Sequence, residues 1–180
     1  ELGNNQPPAG IVNVGNGVLL AFAQWDGAVN RGGYIYLSID HGRTWAQLAT
    51  ISQAAAVGLN GLQGRMLAPA PNIAIVAEDG TSGVGWRIHR TTDDGVTWGV
   101  AYTGPTGDKY LQSAVMGKDR RLIIGAELVS GGEVISSDNN GATWGNIITV
   151  TGAWNAVRGL AFGNGERLLA GGFSTVANAK

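Results

Sequence analysis

The sequence predicts an all-β fold assembled from repeated four-stranded antiparallel units, and three observations lead there. The composition is rich in turn formers and poor in charge: 180 residues contain 30 Gly and 6 Trp, and only 14% are Asp, Glu, Lys or Arg. Val, Ile, Leu and Thr are common, and no long segment favours a helix. An eight-residue pattern then occurs three times at nearly regular spacing, the usual signature of a repeat architecture.

The pattern is [Ser/Thr]-x-[Asp/Asn]-x-Gly-x-Thr-Trp. It is written Ser38-Ile39-Asp40-His41-Gly42-Arg43-Thr44-Trp45, then Thr91-Thr92-Asp93-Asp94-Gly95-Val96-Thr97-Trp98, then Ser137-Asp138-Asn139-Asn140-Gly141-Ala142-Thr143-Trp144. The tryptophans stand at 45, 98 and 144, at intervals of 53 and 46 residues. A blade of a β-propeller takes roughly 40 to 50 residues.

Short extended runs precede the motifs. Tyr34-Ile35-Tyr36-Leu37, Arg87-Ile88-His89-Arg90 and Glu133-Val134-Ile135-Ser136 put Ile35, Ile88 and Val134 at one equivalent, core-facing site. Ala46–Ala49, Gly99–Tyr102 and Gly145–Ile148 follow as returning strands. Upstream lies a second hairpin. Gly15-Asn16-Gly17 and Gly163-Asn164-Gly165 each join two apolar runs, and Asn-Gly accommodates the positive φ that a tight hairpin requires. Weaker versions are Pro71-Asn72 before Ile73–Val76 and Lys118-Asp119-Arg120 before Leu122–Ile124.

Two hairpins per repeat make four antiparallel strands, the content of a propeller blade. Four upstream hairpins but three motifs predict about three and a half blades. The expected division is an N-terminal extension over 1–9, repeats near 10–53, 54–107 and 108–152, and an incomplete repeat over 153–180.

The three motifs resemble the Asp-box, or bacterial neuraminidase repeat, of sialidases, xyloglucanases, sortilin-type receptors, a photosystem II assembly factor, and many phage tail and adhesin propellers. The resemblance covers roughly residues 10 to 173. It implies a structural turn between the third and fourth strands, away from the binding face. The chemistry agrees with that role. Asp40, Asp93 or Asn139 can accept backbone N–H bonds as in an Asx-turn, and Gly42, Gly95 and Gly141 supply a conformation other residues resist. Trp45, Trp98 and Trp144 can wedge between sheets. In the third motif two readings stay open: Asn139 replaces the acid as acceptor, or the turn is one residue longer and Asp138 takes the role.

A formal charge of -1 and a pI near 6.1 leave no basic footprint for nucleic acid. The absence of Cys excludes disulfides and thiolate zinc sites. No stretch approaches the roughly 18 apolar residues of a membrane span, and Glu-Leu-Gly-Asn-Asn at the start is not a signal peptide. The chain is therefore expected to be soluble, without membrane insertion. Beginning without Met, it is read as a processed product or part of something longer.

Catalytic motifs are sparse. The arginine triad and early Arg-Ile-Pro of sialidases have only a poor counterpart in Arg65-Met66-Leu67-Ala68-Pro69. A glycosidase needs two carboxyl groups roughly 5 to 10 Å apart across a cleft. Glu78 and Glu127 end second strands that look equivalent, with Gln24 in the first repeat, and are the acids expected to share a rim. His41 and His89 lie near no Gly-x-Ser-x-Gly elbow, and no metal or phosphate motif is present. No catalytic residue, metal or cofactor is assigned.

Aromatic and amide side chains outside the motifs remain: Trp25, Asn30, Tyr34, Tyr36, Trp86, Tyr110, Trp154 and Asn155. Aromatic faces beside amides hold sugars and dominate interfaces. Trp25, Trp86, Trp154, Glu78 and Glu127 are therefore the candidate ligand-binding residues, with Trp25 and Trp86 read as lying in loop-like segments.

The expected function is a non-catalytic recognition or assembly module like the propellers of phage tail fibres and adhesins, binding glycan or neighbouring subunits. The alternative is a fragment of a sialidase- or xyloglucanase-type glycoside hydrolase. Expected partners are other copies or further chain completing the ring, and the expected location is extracellular or on a virion surface.

Overall fold

The computed structural model describes residues 8–26, 31–52, 66–78, 85–106, 110–128, 131–151, 154–163 and 167–174. Fourteen strands account for nearly all of them, and no helix occurs among the described residues. The first blade holds β1 (Pro8–Gly15), β2 (Val18–Asp26), β3 (Arg31–Ser38) and β4 (Ala46–Ser52), hydrogen-bonded in that order. The second holds β5 (Met66–Ala70), β6 (Ile73–Glu78), β7 (Arg87–Thr91) and β8 (Gly99–Thr103). The third holds β9 (Tyr110–Met116), β10 (Leu122–Leu128), β11 (Gly131–Ser137) and β12 (Gly145–Thr151). A hairpin of β13 (Trp154–Phe162) and β14 (Leu168–Ser174) joins the third sheet at the single pairing Glu127–Ala156.

This is three blades and the inner half of a fourth, with every pairing antiparallel. The first strands of successive units lie against one another, β1 on β5, β5 on β9 and β9 on β13, as blades set round an axis require. β1 starts at Pro8, which pairs with Ala23, so the first sheet takes in the end of the segment expected to be an extension.

The core consists of seams between blades. Val14, Leu20, Phe22, Ile35 and Ile51 of the first blade meet Met66, Ala74 and Val76 of the second. Ile75, Ala77, Trp86 and Ile88 of the second meet Leu111, Leu122, Ile124, Ala126 and Ile135 of the third. Ile123 and Val134 then meet Val157 of the fourth hairpin. Strand β6 shows why its sequence is continuously apolar. Ala74 and Val76 point to one seam, Ile75 and Ala77 to the other, so both faces need hydrophobic side chains. Each fully buried Ile or Leu contributes about 1.5–3 kcal/mol, against about 1 kcal/mol for a typical hydrogen bond, so the seams supply most of the stability.

The repeat extends to its irregularities. In each blade the pairing of third and fourth strands slips once, after Ile35, Ile88 or Val134. The extra residue is Leu48, Ala101 or Ile147, three positions past the tryptophan of its motif. β4, β8 and β12 carry no charged residue, and this bulge is the feature that twists each outer edge away from straight pairing.

Candidate functional site

The strands of a blade alternate in direction, so its turns fall at two ends. One end carries the first hairpin turn and the motif corner; the other carries the last residues of the second strand and the first of the third. The corner end repeats closely.

Six hydrogen bonds recur at every corner. In the first, the Ser38 hydroxyl donates to Asp40 Oδ1 at 2.8 Å and accepts from the amides of Asp40 (3.4 Å) and Gly42 (2.8 Å). The Thr44 amide and hydroxyl donate to the two Asp40 oxygens at 2.9 and 2.6 Å, and the Trp45 indole donates to the Gly42 carbonyl at 3.0 Å. Thr91, Asp93, Gly95, Thr97 and Trp98 repeat the set. Held by the Thr44 hydroxyl, then its amide and the Ser38 hydroxyl, the Asp40 carboxyl lies well below the usual carboxylate range. Asp93 is lowered in the same way by Thr97 and Thr91.

The third corner decides between the two readings of its acceptor. Asn139 Oδ1 accepts from the Ser137 hydroxyl at 2.9 Å and from the Thr143 amide at 2.9 Å. The Asn139 amide nitrogen donates to the Thr143 hydroxyl at 2.8 Å, reversing the sense of that bond. The other three bonds of the set, to Ser137 Oγ and from Trp144, are retained. Asp138 points elsewhere, pairing with Arg121 at 3.0 Å.

The corner glycines serve two needs. Gly95 and Gly141 have φ of 89° and 78°, where a side chain is strained. A Cβ there would also stand 2.9 Å from Leu20 and 2.8 Å from Ile75, side chains of the preceding blade. Trp98 and Trp144 pack on the same seams, so the corner locks each blade to the one before it. Trp45 occupies the matching place on the outer face of the first blade, against Ala21, Ala23 and Tyr36.

The opposite rim differs from blade to blade. Trp86 immediately precedes β7, and its side chain is 0% exposed. Its ring lies 4.9 Å from that of Tyr102 and fills the space a Cβ on Gly104 would need. The Gly104 amide donates to the Trp86 carbonyl at 2.8 Å. The expectation of a ligand-facing Trp86 is thus corrected: the indole closes the seam between second and third blades. Burial, with the nearby Glu133 charge, raises the Tyr102 phenol.

Glu78 and Glu127 are not equivalent either. Counted by register, Ile35, Ile88 and Val134 face Phe22, Ala77 and Gly125, so Glu78 corresponds to Ala23 and Ala126, and Glu127 to Gln24. One step of register reverses the face. Glu78 lies buried on the side of the first blade, paired with His89 Nε2 at 2.5 Å. Glu127 lies on the side of the fourth hairpin, accepting from Gln112 Nε2 at 3.0 Å, with Arg158 Nη2 at 3.9 Å. A second buried carboxylate, Glu133, accepts from Asn146 at 2.7 Å in the seam with the second blade. Its pairing was not legible in the sequence because the partner lies on the neighbouring strand, across the bulge.

Trp25 belongs to β2, paired with Gly32, rather than to a loop. Trp154 opens β13, paired with Ser174. The side chains of Trp25, Trp154, Tyr110 and Asn155 and the whole of Asn30 lie outside the described residues. Among the described residues, no group of three or more His, Asp or Glu is placed to hold a metal, and no helix is long and apolar enough to cross a membrane.

No protein-family model matches the chain, and no curated protein matches it in sequence. Solved structures do match in shape. A Hadza microbial sialidase, Hz136, superposes with a TM-score of 0.56 at 17% identity, over 82% of this chain and 38% of that one. The α-L-arabinofuranosidase Arb93A from Fusarium graminearum, solved with an iminosugar inhibitor, gives 0.50 at 13% identity over 77% and 46%. This chain therefore has the sialidase-like β-propeller fold and spans less than half the length of either protein.

Proposed function

We propose that this chain is part of a non-catalytic propeller that recognises glycan or a neighbouring subunit through the rim opposite the motif corners. One observation carries the reading: among the described residues, the three rim acids Glu78, Glu127 and Glu133 are committed one by one. Glu78 is held by His89, Glu133 is bonded by Asn146 and Glu127 by Gln112, and Glu78 and Glu127 turn toward different seams. A glycosidase requires two carboxyl groups converging on one bond. Trp25 and Trp154, at strand ends on this rim, are the proposed sugar-stacking residues. The outward side of the fourth hairpin, where Leu169 is exposed, is the proposed place for further chain or another copy to continue the ring.

A second reading is favoured by the likeness to the sialidase and the arabinofuranosidase, each more than twice as long as the matched part of this chain. On that reading these blades belong to a glycoside hydrolase whose other blades bring the remaining catalytic groups. A glycan array, with Trp25→Ala as the control, is expected to show binding that the substitution abolishes. Turnover of fluorogenic sialosides or β-glucans by the full-length protein would overturn the non-catalytic reading; array signals unchanged by Trp25→Ala would remove the proposed site.

A further inference from the structure

The chain contains four Asn-Gly steps, at Asn16, Asn60, Asn140 and Asn164, of which the first and third lie within the described residues. Asn-Gly is the dipeptide most open to spontaneous deamidation, because a glycine amide is unhindered. The Gly nitrogen attacks the Asn Cγ; an N–Cγ bond forms, the Cγ–Nδ2 bond breaks, and Nδ2 leaves as ammonia carrying the proton from the attacking nitrogen by way of solvent. Water then opens the succinimide to aspartate or isoaspartate, so the net reaction consumes one water and releases one ammonia.

The two steps look alike in sequence and in backbone, with φ of 52° then 79° at Asn16-Gly17 and 56° then 78° at Asn140-Gly141. Their surroundings differ. The Gly141 amide is committed to Ser137 Oγ at 2.9 Å, and the Gly141 carbonyl accepts from the Trp144 indole at 3.1 Å. The Asn140 carbonyl accepts from Arg90 of the second blade at 2.9 Å, and Gly141 is buried against Ile75. Rotating that peptide into an attacking geometry would break all three bonds and lift the corner off the seam. At the first turn Asn16 is exposed, and neither the Asn16 side chain nor the Gly17 amide makes a hydrogen bond among the described residues. Among the described residues, the Gly17 carbonyl accepts a 3.3 Å bond from the His41 amide.

We propose that Asn16 is a deamidation site of the folded protein and that the third corner protects Asn140 from the same chemistry. The product places a new carboxylate at the corner end, beside the His41 ring that covers Gly17. Incubation in mildly alkaline buffer, followed by peptide mapping with tandem mass spectrometry and isoaspartate detection, tests it. In the native protein Asn16 converts at least about tenfold faster than Asn140, because a hydrogen-bonded amide reacts only through local opening. In urea the two rates approach each other. Ser137→Ala, in a protein shown to remain folded, raises the Asn140 rate and leaves Asn16 unchanged. Equal native rates, a ratio that survives urea, or an Asn140 rate indifferent to Ser137→Ala would each overturn the proposal.

Discussion

Gly95 and Gly141 press on Leu20 and Ile75 of the preceding blade through the same geometry, whereas Glu78 and Glu127, equally alike along the chain, face opposite ways into different seams. The corner end is repeated down to its bulge and its indole bond. The opposite rim reuses the same strands but changes their polar groups from blade to blade. Repetition marks what every blade needs in order to stack; variation marks the end free to differ, which is where the ligand or partner contact is proposed.

The rim is not all surface, and its largest test is Trp86→Ala. Removing a fully buried indole from the seam should cost about 3–5 kcal/mol in urea unfolding. A loss under about 1 kcal/mol would return Trp86 to solvent and to the list of ligand contacts.

The corners come next. Gly95→Ala and Gly141→Ala combine a left-handed φ with a Cβ driven into the preceding blade, and each should cost about 2–4 kcal/mol. Gly42→Ala has φ of 86° but meets Leu19 at 3.3 Å and Trp45 at 3.7 Å, both of its own blade, so about 1–2 kcal/mol is expected. Equal costs in thermal or urea melts would deny that the corner glycines set the spacing between blades.

The two rim acids should then separate. Glu78→Ala strands His89 in the seam and should cost about 1–3 kcal/mol. Glu127→Ala, at a half-buried position, should cost less than about 1 kcal/mol. Matching losses would mean that the acids share one environment after all.

The smallest effect concerns pH. Asp40 and Asp93 have carboxyls lowered by folding from an ordinary value near 3.8. Their stabilisation is complete above that value and is lost as pH falls through the folded one. Asp40→Asn with Asp93→Asn should flatten the decline on acidification, since the third corner closes with an amide. Asn139→Asp should steepen it and raise the neutral melting temperature by no more than about 5 °C. Acid-unfolding curves identical to the parent would remove the carboxylates from the account.

The corners were legible in the sequence because their bonds run two, three or four residues along the chain, where spacing alone sets the geometry. Ile35, Ile88 and Val134 were legible for the same reason, being fixed three residues before each motif. The rim was not. Glu78 and His89 are 11 residues apart and Gln112 and Glu127 are 15, and both pairs depend on where β6 and β10 stop. Counting from apparent strand ends placed Glu78 and Glu127 in step, although β6 ends at Glu78 and β10 runs on to Leu128. Trp86 was read as loop because Gly83-Val84-Gly85 precedes it; the signal available was the pair Gly85 and Gly104, two glycines bracketing an indole.

Hydrogen exchange read by nuclear magnetic resonance tests the stacked-corner account most directly. The Gly42, Gly95 and Gly141 amides and the Trp45, Trp98 and Trp144 indole protons should be protected alike, in three matched sets. Fast exchange at one corner while the other two stay protected would contradict the claim that a single geometry locks successive blades.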